Sequence, residues 1–160
     1  MGVSQVEYKD ALRRFASGIT IVTAATEGRA HGMTATSFAS VSLIPPLVLV
    51  CLEKNSRTHD LVLESRSFAV SVLADDQEEL ARDFALRGDK SFESRVERLG
   101  TNGAPLMAGA IAWIECTVAE VVEGGDHHVV IGEVIASESR EGRPLLYYDR
   151  AYHERGHDFL

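Results

Sequence analysis

Cysteine is scarce in this 160-residue sequence: only Cys51 and Cys116 occur, each inside an apolar run that reads as a strand. A disulfide framework is excluded, and the two read as buried, reduced thiols of a cytoplasmic protein. Long hydrophobic runs are missing as well. The longest, Ile44 to Leu52, contains two prolines and falls short of the roughly 18–20 residues of a membrane span. Positive charge is sparse, with 16 Lys and Arg against 24 Asp and Glu and a net charge of −8. A sequence-independent grip on nucleic acid or on an anionic membrane surface is therefore not expected, and any basic site must be local. The start, Met1-Gly2-Val3-Ser4, has no basic region followed by an apolar one, so no secretory signal is expected.

Several motifs are absent too. There is no G-x-G-x-x-G, no P-loop lysine and no G-x-S-x-G elbow, which excludes a conventional dinucleotide or nucleotide domain and a serine hydrolase of that type. His153-Glu154-Arg155-Gly156-His157 matches the zinc-protease pattern in letters. That pattern needs a stable helix and a third ligand, whereas here a glycine interrupts it and three residues follow it. No metal is expected, and the segment reads as a solvated tail.

What is present fits one domain over residues 1–160, with a core from about 8 to 152 and a tail at 153–160. Ser4 and Glu7 form a capping box before a helix whose Tyr8, Ala11, Leu12 and Phe15 share a face, and Gly18 should stop it. Ile19 to Ala25 and His31 to Thr36 read as strands about a turn at Glu27-Gly28. Thr34 to Ser42, with five hydroxyl side chains, reads as a polar loop. Leu47 to Leu52 reads as a strand buried on both faces, and Ser67 to Leu73 as a half-buried one. Between them lies a short helix, Thr58 to about Glu64, with Leu61, Val62 and Leu63 inward. Asp75 and Glu78 suggest a second capping box, opening a helix with Leu80, Ala81, Phe84 and Ala85 on one face. Residues 87–103 read as a surface excursion. Ala110 to Val122 and His128 to Ser137 form a hairpin across Glu123-Gly124-Gly125-Asp126, and Leu145 to Tyr148 is a last strand. Hairpin-linked strands with few helices predict a mainly β protein, an antiparallel barrel with helices outside.

Two stretches suit neither core nor plain surface. Thr34 to Ser42 combines hydroxyls with small side chains. Asn55-Ser56-Arg57-Thr58 opens a helix, where free N–H groups, an Arg and two hydroxyls suit a phosphate monoester; ordinary capping by Ser56 or Thr58 is the plainer reading. His127 reads as a hairpin residue that caps Asp126 or faces solvent. Arg82, Arg87, Lys90, Arg95 and Arg98 read as a solvated face, and Trp113 as core.

These fragments also carry a resemblance. Gly18 to Thr23 (GITIVT), His31 to Ser42 (HGMTATSFASVS), Pro45 to Val50 (PPLVLV), Ser56-Arg57-Thr58-His59, Phe68 to Leu73 (FAVSVL) and Gly125-Asp126-His127 together resemble the flavin reductase family, small NAD(P)H:flavin oxidoreductases that serve two-component monooxygenases. The similarity runs from about Tyr8 to Tyr152. It implies a split β-barrel of the FMN-binding type, a homodimer, with FMN or FAD in a groove near the dimer interface and NADH or NADPH as hydride donor. On this likeness Thr34, Ala35, Thr36, Ser37 and Ser40 meet the isoalloxazine edge and ribityl chain. Cys51, Leu52 and Glu53 line the groove, Ser56, Arg57 and Thr58 hold the phosphate, and Lys90 and Phe92 close over the flavin. His127, Tyr148, Arg150 and Tyr152 meet NAD(P)H, although Asp149-Arg150 stands where relatives often have Arg-Gly. No catalytic acid or base is expected, because hydride passes between the cofactors. The partner is a flavin-dependent monooxygenase component. The rivals are a flavin-binding electron carrier of the same fold and an oxidase acting on a phosphorylated vitamin.

Overall fold

The computed structural model describes residues 2–153. Their elements, in chain order, are α1 (Gln5–Leu12), β1 (Ser17–Gly18), β2 (Thr20–Thr26), β3 (Arg29–Ala35), β4 (Phe38–Leu43), β5 (Pro46–Glu53), α2 (Arg57–Ser65), β6 (Ser67–Val72), α3 (Glu78–Ala85), β7 (Val96–Leu99), β8 (Pro105–Met107), β9 (Ala112–Gly124), β10 (His127–Ser139), β11 (Leu146–Tyr148) and β12 (Ala151–His153). Seven strands form one antiparallel sheet in the order β3-β2-β6-β9-β10-β5-β4; β1-β11-β12 and β7-β8 are separate small sheets.

The two edge strands of the large sheet are consecutive in the chain, and only Thr36 and Ser37 join them. Laid flat, seven strands would hold their edges about 29 Å apart, yet three peptide units reach at most about 11 Å. The sheet therefore curls until β3 and β4 meet at one corner. Its inside is filled by Val22, Val50, Leu52, Phe68, Val70, Cys116 and Val130, with Leu61 and Val62 of α2 pressed onto them. A second cluster under α3 joins Ile19, Ile21, Leu73, Phe84, Met107 and Leu145.

The burial readings of two strands exchange places. On β5 only Val48, Val50 and Leu52 are buried, alternating with Leu47, Leu49 and Cys51 on the other face. Ser67 to Ser71 of β6 are buried without alternation. The reason is cover rather than position, for both strands lie inside the sheet, β6 third from one edge and β5 second from the other. The outer face of β6 is covered by the β7–β8 segment, whose Met107 N–H donates to Ser71 Oγ at 3.0 Å. The expected polar loop at Thr34 to Ser42 is a strand end, a two-residue corner and the edge strand β4, where small hydroxyl side chains stay solvated.

The helices also depart from expectation. The Ser4–Glu7 capping box forms, but α1 ends at Leu12, and none of its residues is buried. Tyr8, Leu12 and Phe15 are exposed rather than packed inward. The Asp75–Glu78 box does not form. Gln77 instead binds two loops, accepting from Ala74 N at 3.0 Å and donating to Ala108 O at 2.7 Å. The excursion after Arg87 contains β7, which pairs with β8, and His153, the first residue of the expected tail, ends β12, a strand reached through Asp149 and Arg150 with φ of 50° and 66°. Glu154 to His157 of the zinc-like motif lie outside the described residues.

Candidate functional site

Strand β5 carries the chain outward to Glu53, turns at Asn55 (φ 70°) and enters α2. Ser56 is its N-cap, accepting from His59 N at 3.2 Å. The start of α2 opens on a cavity of about 230 Å³ walled by Met33, Thr34, Phe84, Arg57 and Lys90. Backbone N–H groups at the helix start and the Arg57 guanidinium thus face a concave surface with two apolar walls, a geometry suited to a phosphate carried by a flat ring system.

Hydrogen bonding explains how the wall is held. His31 Nε2 lies 2.9 Å from Gly88 O, and its Nδ1 lies 2.8 Å from Thr58 Oγ1. A carbonyl only accepts, so Nε2 carries the proton, and in the neutral ring Nδ1 accepts from the threonine. Thr58 is fully buried, so its hydroxyl holds His31 and its backbone N–H is what remains for a ligand. Thr34 Oγ1 likewise donates to Ala81 O at 2.6 Å, fixing α3 against β3. Lys90 Nζ donates to Asp83 O at 3.1 Å and to Leu86 O, capping α3. Desolvation lowers its pKa, partly offset by Asp83.

The rim cations are neutralised within the chain. Arg57 pairs with Asp89, and Arg87 Nη2 lies 3.1 Å from Glu53. The Arg57–Asp89 pair is open to water, with the side chains 59% and 95% exposed. Such pairs contribute about 0–1 kcal/mol, so a phosphate can displace Asp89 easily.

Of the residues expected at a flavin, Thr34, Glu53, Ser56, Arg57, Thr58 and Lys90 border this one cavity. Cys51 and Glu53 alternate with buried Leu52, and the register sets His127 opposite Glu53 and Val129 opposite Cys51. His127 therefore shares the outer sheet face with Cys51 and Glu53. Ser37 Oγ donates to Cys51 O at 3.0 Å, tying the corner to that face. Other residues fall elsewhere. Ala35 and Leu52 point into the core, leaving only their backbone for a ligand. Ser40 is exposed on β4. Phe92 packs edge-on against Phe84 with centroids 5.5 Å apart, within the α3 cluster. Thr36 and Arg150 border a second cavity of about 310 Å³ together with Phe15 and Tyr147.

The four residues expected at NAD(P)H are not brought together. His127 sits at the β9–β10 turn with Nδ1 2.7 Å from Asp126. Tyr148 and Tyr152 belong to the small sheet, where Tyr152 stacks edge-on with Tyr147 and lies under Arg82. Arg150 binds Asp10 at 3.1 Å. Sequence reasoning assigned no role to His31, Met33, Phe84 and Asp89. Phe84 repeats at helical spacing and reads as core, which it also is; nothing in the order of residues pairs Asp89 with Arg57.

The family profile described as "Flavin reductase like domain" matches residues 12–156. A Rhizobium meliloti (strain 1021) protein named "Probable flavin reductase" is 42% identical over 145 residues, 90% of this chain, and the chain spans 47% of that relative's length. The reductase component of a Rhodococcus opacus 4-nitrophenol 4-monooxygenase/4-nitrocatechol 2-monooxygenase is 36% identical over 146 residues, covering 91% of this chain and 78% of that one. The solved NADH:FAD oxidoreductase SgcE6 of Streptomyces globisporus C-1027, in complex with NAD and FAD fragments, superposes with a TM-score of 0.90 at 39% identity over 97% of this chain and 94% of that one. With a profile match over nearly the whole sequence and relatives and solved neighbours that carry the same description, the chain belongs to the flavin reductase like domain family.

Proposed function

We propose that the protein is an NAD(P)H-dependent flavin reductase that moves a hydride from NADH or NADPH to FMN or FAD and supplies reduced flavin to a separate monooxygenase component. The observation that carries this reading is the start of α2, with Ser56 and Arg57 at the rim of a cavity walled by Met33 and Phe84, next to the sheet face shared by Glu53 and His127. A bound flavin supplies the hydride acceptor. The chain's part is binding and orientation: Arg57 and the α2 N–H groups hold the phosphate, Met33 and Phe84 shield one side from water, and the Ser37–Cys51 corner offers main-chain groups to the ring edge. His127 then contacts the nicotinamide nucleotide on the same face.

The curled sheet is read as a split barrel forming one domain. No described helix is long and apolar enough to cross a membrane, and the reduced thiols support a cytoplasmic setting. A second copy is inferred from α1 and its flanks, where Val3, Val6, Tyr8, Leu12 and Phe15 are exposed, and from the β4–β5 corner, where Leu43 and Ile44 are 90% and 94% exposed. A helix with no buried residue in its own chain and exposed apolar side chains around it calls for an apolar partner. Arg150, bonded to Asp10 of α1, lies on this side and would serve the nicotinamide site across the dimer. The test is flavin-dependent oxidation of NADH and NADPH by the purified protein; oxidation that does not depend on added or bound flavin, or none at all, overturns the reading.

A further inference from the structure

A buried histidine pair lies between the two proposed subsites and takes no part in the binding described above. His59, in the first turn of α2, puts Nε2 2.7 Å from Nδ1 of His128 on β10. The rings are 12° from coplanar with centroids 5.0 Å apart. That separation is what two ring radii and the N···N distance add up to when the rings lie end to end, so the contact is an in-plane N–H···N bond rather than a face-to-face stack. Each outer nitrogen meets a carboxylate: His59 Nδ1 is 2.9 Å from Asp60, and His128 Nε2 is 2.9 Å from Glu123. Lys54, between β5 and α2, grips the other oxygen of Glu123. The side chains of His59 and His128 are 8% and 17% exposed.

Proton counting gives the state of the pair. Both outer nitrogens must donate to their carboxylates, and the inner contact needs one proton between two nitrogens. Three protons on two rings make the pair a single cation with one shared proton. Glu123 keeps its charge because bonds from Lys54 and then His128 hold its pKa at about 2.

The position of this bond matters for the reaction. It leaves α2 two residues after Arg57 and reaches β10 one residue after His127, and neighbouring strand residues point to opposite faces. Holding His128 inward fixes His127 outward on the ligand face. We propose that the His59–His128 pair is a positioning element that fastens the phosphate-binding start of α2 to the nicotinamide-binding hairpin, so that filling one subsite orders the other. The proposal rests on the flavin and nicotinamide assignments made above. The pair is ringed by Asp60 from α2, Glu123 from β9 and Lys54 from the β5–α2 turn, with Leu52 of β5 as the apolar cross-strand neighbour.

The test is a double-mutant cycle with His59→Gln, His128→Gln and the double variant, reading flavin Kd, KM for NADH and kcat, with thermal melting to confirm folding. Each single variant is expected to raise both the flavin Kd and the NADH KM by about fivefold or more, the lower end of typical coupling, and the double variant to be no worse than either single one. In the wild-type protein a single far-downfield imidazole proton resonance is expected, absent from both single variants. Effects that multiply, or that stay confined to flavin for His59→Gln and to NADH for His128→Gln, overturn the proposal. Arg57→Ala is measured alongside: if it leaves the flavin Kd unchanged, the flavin assignment itself fails, whereas weakened binding there with a multiplicative cycle defeats the positioning role alone.

Discussion

Arg57 is the residue on which flavin affinity should depend most, and its effect can be worked out with both signs. In the free protein its guanidinium faces Asp89 in water. Binding a flavin phosphate exchanges that pair for charge-assisted hydrogen bonds contributing roughly 1.5–3 kcal/mol, less about 0–1 kcal/mol for the surface pair given up. Arg57→Ala should therefore weaken FMN binding by about 0.5–3 kcal/mol, or about 2- to 160-fold. Asp89→Asn removes the competitor and should tighten binding, by up to about fivefold. Quenching of FMN fluorescence on titration with each variant reads both effects. Unchanged affinity in Arg57→Ala refutes the phosphate assignment, and weaker binding in Asp89→Asn refutes the exchange.

Three further outcomes follow from the fold. Gly132 lies under Phe68, and an added Cβ would come 2.5 Å from Phe68 Cζ and 2.8 Å from Cys116 Cβ; Gly132→Ala should lose about 1–3 kcal/mol in urea unfolding, as overpacked cores do, and an unchanged midpoint would show that the sheet yields there. Burial, with the Glu115 charge next, pushes the Cys116 thiol from 9.0 to about 12. It should resist thiol reagents until the protein unfolds, and stability should fall as pH rises from about 9, where the unfolded thiol ionises and the folded one does not; rapid labelling of native Cys116 contradicts this. Phe15→Asp, in the exposed turn that follows α1, should convert a dimer to monomer in sedimentation without loss of folding, and an unchanged mass would remove this segment from the interface.

Much of the architecture was legible because hairpin signals are local. Gly125 takes φ of 73° at the β9–β10 turn, and the β-branched runs on either side are strands as expected. What sequence order hides is which neighbour covers each face. Ser67 to Leu73 looks half-buried by its alternating hydroxyls, yet Ser71 is buried because Met107 bonds to it. Leu47 to Leu52 looks doubly buried, yet Leu47, Leu49 and Cys51 on the outer face of β5 are only half-buried. Tyr8, Leu12 and Phe15 show the same blindness in reverse, since their spacing announces an apolar face but not that it stays exposed in the folded chain. At the site, Ser56, Arg57 and Lys90 were legible from residue type and resemblance, and the structure sets them around one cavity. His59 and His128 were not, because a bond spanning 69 residues leaves no periodic trace.

The central claim is that this chain passes hydride from a nicotinamide nucleotide to flavin on a single face of its sheet. Anaerobic stopped-flow mixing of the FMN- or FAD-loaded protein with NADH or NADPH tests it most directly. The account predicts bleaching of the flavin absorbance with matching loss of NAD(P)H, and a His127→Ala variant that binds flavin normally but bleaches slowly at limiting NAD(P)H. A flavin that binds and is not reduced by either nucleotide would contradict it, leaving a flavin-binding carrier of the same fold.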